Sequence, residues 1–77
     1  MNQESLGQIL KDMYNNAENG EQVAHIHLFG IKYGAIILKN KYSMREIIDF
    51  SGINKSYQTE LNKGVKLSKY VILKTSV

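Results

Sequence analysis

The stretch of sequence that decides the fold is SMREIIDFSGINKSYQTELNKGVK, residues 43–66. Ser43 and Glu46 have the spacing of a capping box, in which each side chain caps the start of the same helix. Two isoleucines follow, and Gly52 stands where a helix ends in the left-handed conformation that glycine adopts without strain. The pattern therefore predicts helix three over residues 44–50.

A second short helix follows the glycine turn. Asn54 is a good N-cap residue, and Ile53 and Leu61 are apolar anchors on either side of it. We expect helix four over residues 55–63, ended by Gly64. Two short helices joined by a tight glycine turn form a helix-turn-helix unit, here over about residues 43–64.

Two further helices are predicted before this unit. Residues 4–17 place their apolar side chains on a single stripe, and Asn2 is available as the N-cap. Residues 21–40 are apolar on more than one face, which is typical of a helix with neighbours on several sides. Gly34 leaves a second possibility open, in which this helix breaks and residues 35–38 form a short extended segment.

The tail, residues 67–74, is rich in β-branched and aromatic residues and lacks helical periodicity, so it predicts a strand. A single strand needs a partner, which could be the same strand of a second chain, the short segment 35–38, or a helix on which the tail docks as an irregular arm. The expected dimer arm consists of Tyr70, Val71, Ile72 and Leu73. The fold class is therefore mainly all-α, a single four-helix domain over residues 1–77 with a C-terminal β-strand or extended arm.

The size of the chain limits its function. With 77 residues and no cysteine, it has a marginal core and neither a disulfide nor a thiolate metal site. We expect no catalytic site, no cofactor and no small-molecule substrate. The sequence shows neither a signal-peptide pattern nor an apolar run long enough to span a membrane, so the expected location is cytoplasmic.

Charge is unevenly distributed along the chain. Residues 1–22 contain four acidic residues and one basic residue, whereas residues 23–77 contain nine basic and three acidic residues. After Glu60 no acidic side chain occurs. A one-sided basic surface attracts polyanions, so nucleic acid is a candidate partner.

The segment Ser43–Lys66 resembles the helix-turn-helix domains of the Cro and phage-repressor type, most closely in GINKSYQTELNKG. The resemblance implies binding to double-stranded DNA, with helix four in the major groove. Pairing of the tail strands of two chains would make the protein a homodimer. The base-contacting residues would be Lys55, Ser56, Gln58, Thr59 and Asn62. The phosphate-contacting residues would be Lys39, Lys41, Arg45, Lys63, Lys66 and Lys69.

Three positions depart from the family pattern. A small residue is usual where Ile48 stands, and apolar residues are usual where Ser51 and Gln58 stand. Phe50 and Tyr57, each one position earlier, would fill these core positions if both helices rotated slightly. Gln58 would then join the DNA-reading face.

The sequence contains two histidines, two positions apart. His25 and His27 point about 200° apart on a helix and cannot bind one metal ion together, so we expect partly buried histidines and no metal site.

The other candidate function is a protein-interaction adaptor on the same fold, whose tail strand adds to the edge of a partner's sheet.

Overall fold

The computed structural model describes residues 1–74, so the last three residues of the expected domain lie outside the described range. The mainly helical fold is confirmed, and residues 1–74 contain no strand. The elements are α1 (Gln3–Asn16), α2 (Gln22–Lys39), α3 (Met44–Ser51), a 3-10 turn (Lys55–Tyr57) and α4 (Gln58–Leu67). None of the helices within this range is long and apolar enough to cross a membrane.

The first helix has the predicted N-cap, Asn2, and begins at Gln3, one residue before the predicted start. The Asn2 side chain accepts a hydrogen bond from the Ser5 backbone at 2.8 Å, and the Ser5 hydroxyl accepts one from the Asn2 backbone at 2.9 Å. These reciprocal bonds satisfy two donors at the start of α1. Leu6 and Leu10, one turn apart on its inner face, are completely buried.

The second helix is continuous through Gly34, which confirms the predicted helix and excludes the alternative of a break there with an extended segment over residues 35–38. Gly34 is buried, and a side chain there would collide with Ser68. Glycine is thus present at this position because a neighbouring segment passes close to it. Two residues after the helix ends, Lys41 adopts the left-handed conformation (φ 55°), and the next amide, Tyr42, donates to the Ile37 carbonyl at 3.0 Å.

The cap of α3 differs in part from the expected capping box. Ser43 accepts from the Glu46 amide at 3.2 Å, as predicted. The Glu46 carboxylate, however, accepts from Gln3 Nε2 at 2.7 Å, and Gln3 Oε1 accepts from the Ser43 amide at 2.5 Å. A residue of α1 therefore replaces Glu46 as the second capping partner and connects the two helices.

The end of α3 corrects one expectation and confirms another. Gly52 adopts the left-handed conformation (φ 74°), as the sequence predicts. Phe50 does not fill the core, because its side chain is half exposed, whereas Ser51 is buried. The Ser51 hydroxyl donates to the Ile48 carbonyl at 2.6 Å and accepts from the Ile53 amide at 3.2 Å. These bonds satisfy the buried hydroxyl, so no rotation of α3 is needed.

Helices pack in two pairs whose members run in the same direction. In the first pair, Gln3 contacts Ser43 and Gly7 lies against Phe50, so positions along α1 and α3 advance together. In the second pair, Gly30 of α2 lies against Gly64 of α4, and one helical turn later Gly34 lies against Ser68. Positions along these two helices therefore also advance together. The buried side chains between the pairs are Leu6, Leu10, Ile26, Phe29, Ile37, Ile47, Ile48, Leu61 and Val65.

Gly64 does not end the fourth helix, which continues to Leu67. A Cβ atom at Gly64 would lie 2.6 Å from the His27 carbonyl oxygen and 3.1 Å from the Gly30 Cα, both of them backbone atoms of α2. A Cβ atom at Gly30 would lie 2.7 Å from the Gly64 Cα. The two glycines therefore let the backbones of α2 and α4 touch.

The predicted strand over residues 67–74 is wrong. Leu67 belongs to α4, residues 68–70 form a turn, and residues 71–73 have no regular secondary structure. The Tyr70 and Val71 amides both donate to the Leu67 carbonyl, at 2.9 and 3.1 Å. The tail then borders a groove with Ile31 and Ala35 of α2, so it has the irregular-arm form that the sequence left open.

We expect Gly64→Ala to destabilise the fold by about 1–3 kcal/mol, because the added methyl group forces α2 and α4 apart. In an unobstructed helix the same change stabilises by about 1 kcal/mol, so the sign of the effect is diagnostic. Thermal unfolding followed by circular dichroism measures it, with Thr59→Ala on the exposed side of α4 as the control. A stabilised Gly64→Ala variant would contradict the close contact.

Candidate nucleic-acid interface

The segment that follows Gly52 starts with a 3-10 turn. Asn54 accepts from the Ser56 amide at 2.8 Å and caps this turn, and the α-helix itself starts at Gln58, three residues later than predicted. Lys55 and Ser56 therefore lie on the 3-10 turn, where both are exposed. Tyr57 is partly buried against the core and its ring centre lies 5.6 Å from that of Tyr14.

One face of α4 points into solvent. Thr59, Lys63 and Lys66 are spaced by four and three residues, which places them along one line of the helix, and all three are exposed. Tyr70 continues the same spacing into the turn after the helix, with 82% of its surface exposed. The structure thus brings together one predicted base-contacting residue, two predicted phosphate-contacting lysines and an aromatic ring.

The other predicted base-contacting residues of α4 lie at its flank. Gln58 and Asn62 are both partly buried. The Asn62 Oδ1 atom is buried and has no hydrogen-bond partner among the described residues. Of the predicted base-contacting set, Lys55, Ser56 and Thr59 are therefore the most accessible.

The remaining predicted phosphate-contacting residues are exposed on other parts of the chain. Lys39 ends α2, Lys41 lies in the connector, and Arg45 lies in the first turn of α3, so these three surround the junction before the helix-turn-helix unit. Lys69 lies in the turn after α4. All of them expose a positive charge to solvent.

A polar cluster that the sequence did not predict connects α2 to this face. His27 Nε2 lies 2.8 Å from Glu60 Oε1, and Lys63 Nζ lies 3.2 Å from Glu60 Oε2. An ionised carboxylate only accepts hydrogen bonds, so the His27 ring carries its proton on Nε2. Hydrogen bonds from His27 and then Lys63 hold the pKa of the Glu60 carboxyl below its ordinary value of 4.5.

The predicted dimer arm exposes apolar surface. Ile72 is 91% exposed and Val71 44%, whereas Leu73 is partly buried. Tyr70 also lines a shallow depression with Leu67, Lys63 and Lys66. The arm is thus close to the basic face of α4, although the chain folds without a strand there.

The histidines lie apart, as expected from their spacing. His27 faces α4, whereas His25 lines a shallow pocket between α1 and α2 together with Ile9 and Met13. Across residues 1–74, no group of three histidine, cysteine or acidic side chains is arranged to hold a metal ion.

The chain has a capped α3, a glycine turn at Gly52 and a following α4 with one face in solvent. These features together make it a helix-turn-helix protein. The chain belongs to the family described as the HTH-like domain, whose sequence profile matches residues 2–74. This membership indicates a DNA-binding regulator in general terms, and domains of this kind are typically not enzymes. No curated protein and no solved structure matches the chain.

The lowered pKa of Glu60 predicts a pH-dependent contribution to stability. The contribution is complete above the ordinary carboxyl value of 4.5 and is lost as the pH falls through the lower value of the folded state. The melting temperature of the natural chain should therefore exceed that of Glu60→Gln most at neutral pH, and the difference should shrink in acid.

Thermal unfolding from about pH 7 to about pH 3 measures this difference. Glu4→Gln, which removes an exposed carboxylate from α1, is the matched control because it leaves α4 and its partners untouched. A difference between the natural chain and Glu60→Gln that does not vary with pH would contradict the assignment.

Proposed function

We propose that this chain is a small transcriptional regulator that binds specific sequences of double-stranded DNA, of the Cro and phage-repressor type, located in the cytoplasm. Residues 1–77 act as one domain, and α4 enters the major groove after the 3-10 turn. The observation that carries the proposal is the exposed row Thr59, Lys63 and Lys66 on the second helix of a helix-turn-helix unit. Helices presented in this way read base edges and hold phosphates.

The proposed contacts fall into two groups. Lysine and asparagine can hydrogen-bond base edges, and serine and threonine suit bases or phosphates. The base-contacting group is Lys55, Ser56, Gln58, Thr59 and Asn62. The phosphate-contacting group is Lys39, Lys41, Arg45, Lys63, Lys66 and Lys69. The excess of basic residues after position 22 supports both groups, because a positive surface steers the chain towards DNA.

We further propose that the chain acts as a homodimer. Tyr70, Val71, Ile72 and Leu73 would form the contact as irregular arms, since the arm exposes apolar side chains beside α4. Two copies related by a two-fold axis would place their α4 helices about 34 Å apart and read a palindromic site.

The exposed arm also supports a second candidate function, a protein-interaction adaptor. Residues 71–73 have no regular secondary structure, so their backbone could join the sheet edge of a partner. In that case the arm, and not α4, would carry the function.

DNA binding should depend strongly on salt. If each chain makes six phosphate contacts, the affinity of one bound chain should fall about a thousand-fold between about 50 and 200 mM salt, and that of a bound dimer by the square of this factor. Lys66→Ala should weaken binding to every sequence alike, whereas Thr59→Ala and Asn62→Ala should relax sequence preference. Fluorescence anisotropy with a duplex selected from a random pool, and with its scrambled version, measures both effects.

Lys66 and Thr59 are a matched pair, because both are exposed on the same face of α4. Equal effects of Thr59→Ala, Asn62→Ala and Lys66→Ala on all duplexes would show that α4 does not read the sequence. The absence of binding by the natural chain at both salt concentrations would contradict the proposed function itself.

The dimer makes a separate prediction. Ile72→Asp should shift the chain from dimer to monomer in sedimentation equilibrium, because it places a charge in the apolar contact. It should weaken DNA binding without abolishing it, since each α4 remains intact. A monomeric natural chain would contradict the dimer, and complete loss of a protein partner with unchanged DNA affinity would favour the adaptor.

A further inference from the structure

Glu60 is an unusual residue on a helix that we propose to enter DNA. It is the only acidic residue after Asp49 in the sequence. Its carboxylate lies beside the exposed row of α4, within 3.2 Å of Lys63. A negative charge at this place repels phosphates, so its presence needs an explanation other than DNA affinity.

Both oxygens of this carboxylate have defined partners. His27, anchored on α2, donates to Oε1 at 2.8 Å, and Lys63 donates to Oε2 at 3.2 Å. Glu60 is 24% exposed and Lys63 is 60% exposed. The carboxylate is thus held from the protein side, and the more exposed lysine is drawn towards it.

The charge of Glu60 is not required to hold α2 and α4 together. Gly30 and Gly64 already bring the two backbones into contact, with Leu61 and Val65 buried along the same helix. The amide oxygen of a glutamine would accept the same hydrogen bond from His27. The hydrogen bond from His27 can therefore persist with a neutral side chain, whereas the ion pair with Lys63 requires the negative charge.

Resting on the proposed function, we propose that Glu60 lowers the affinity of the chain for DNA by holding Lys63 away from phosphates. Lys63 must leave the carboxylate, or share its charge with it, in order to contact a phosphate. Lys66 lies on the same face, and among the contacts of residues 1–74 no acidic side chain is paired with it. Glu60 thereby weakens the electrostatic part of binding, which dominates binding to arbitrary sequences.

Glu60→Gln tests this proposal. We expect it to raise the affinity for a short duplex of arbitrary sequence by roughly two- to five-fold, the range for one exposed ion pair. The slope of log affinity against log salt should steepen by up to about 0.9, because one more lysine contacts a phosphate fully. Fluorescence anisotropy at several salt concentrations gives both values.

Glu60→Gln combined with a lysine substitution shows whether Lys63 mediates the change in DNA affinity. The gain in DNA affinity from Glu60→Gln should be smaller in a Lys63→Gln chain than in a Lys66→Gln chain. Of these two lysines, Lys63 is the one that contacts the carboxylate. Equal gains in the two backgrounds would contradict the proposal. Weaker binding of Glu60→Gln to a selected duplex alone would show that Glu60 reads a base, such as the amino group of cytosine, and would also overturn it.

A second measurement keeps the proposal testable if Glu60→Gln folds poorly. In the natural chain, Lys63→Gln should cost less DNA affinity than Lys66→Gln, because the charge of Lys63 is already partly neutralised. An equal or larger loss for Lys63→Gln would contradict the proposal. If the natural chain binds DNA and Glu60→Gln changes neither the affinity nor the salt slope, this inference is wrong and the proposed function stands. If the natural chain does not bind DNA, the proposed function is wrong.

Discussion

The direct backbone contact between α2 and α4 determines the arrangement of the candidate interface. Because Gly30 and Gly64 have no side chains, the two helices approach until their backbones touch. This contact sets the rotation of α4 about its own axis, which buries Leu61 and leaves Thr59 facing solvent. It also brings His27 next to Glu60, so the polar cluster follows from the same constraint.

The other helix pair supports the turn before α4. Gln3 of α1 bonds to the Ser43 amide and to the Glu46 carboxylate, which positions the start of α3. At the other end of α3, the buried Ser51 hydroxyl accepts from the Ile53 amide just after the Gly52 turn. Both ends of α3 are thus fixed by side-chain hydrogen bonds, and the turn at Gly52 sets the direction in which α4 starts.

Features encoded within a few residues could be predicted from the sequence. The Asn2 and Ser43 caps and the left-handed Gly52 depend on local spacing, and each is present. Gly64 carries a local signal for a helix end, but its packing against α2 lets α4 continue to Leu67. Strand propensity in the tail was overridden as well, because no strand partner exists within residues 1–74. The contact of His27 with Glu60 joins residues 33 positions apart, and no spacing rule connects them.

The alternation of helix pairs has a consequence for how the chain acquires its structure. Helix α1 packs most closely on α3, and α2 on α4, so each principal partner lies in the opposite half of the sequence. Neither half contains the principal packing partner of either of its helices. We therefore expect the core to close only after most of α4 has been synthesised.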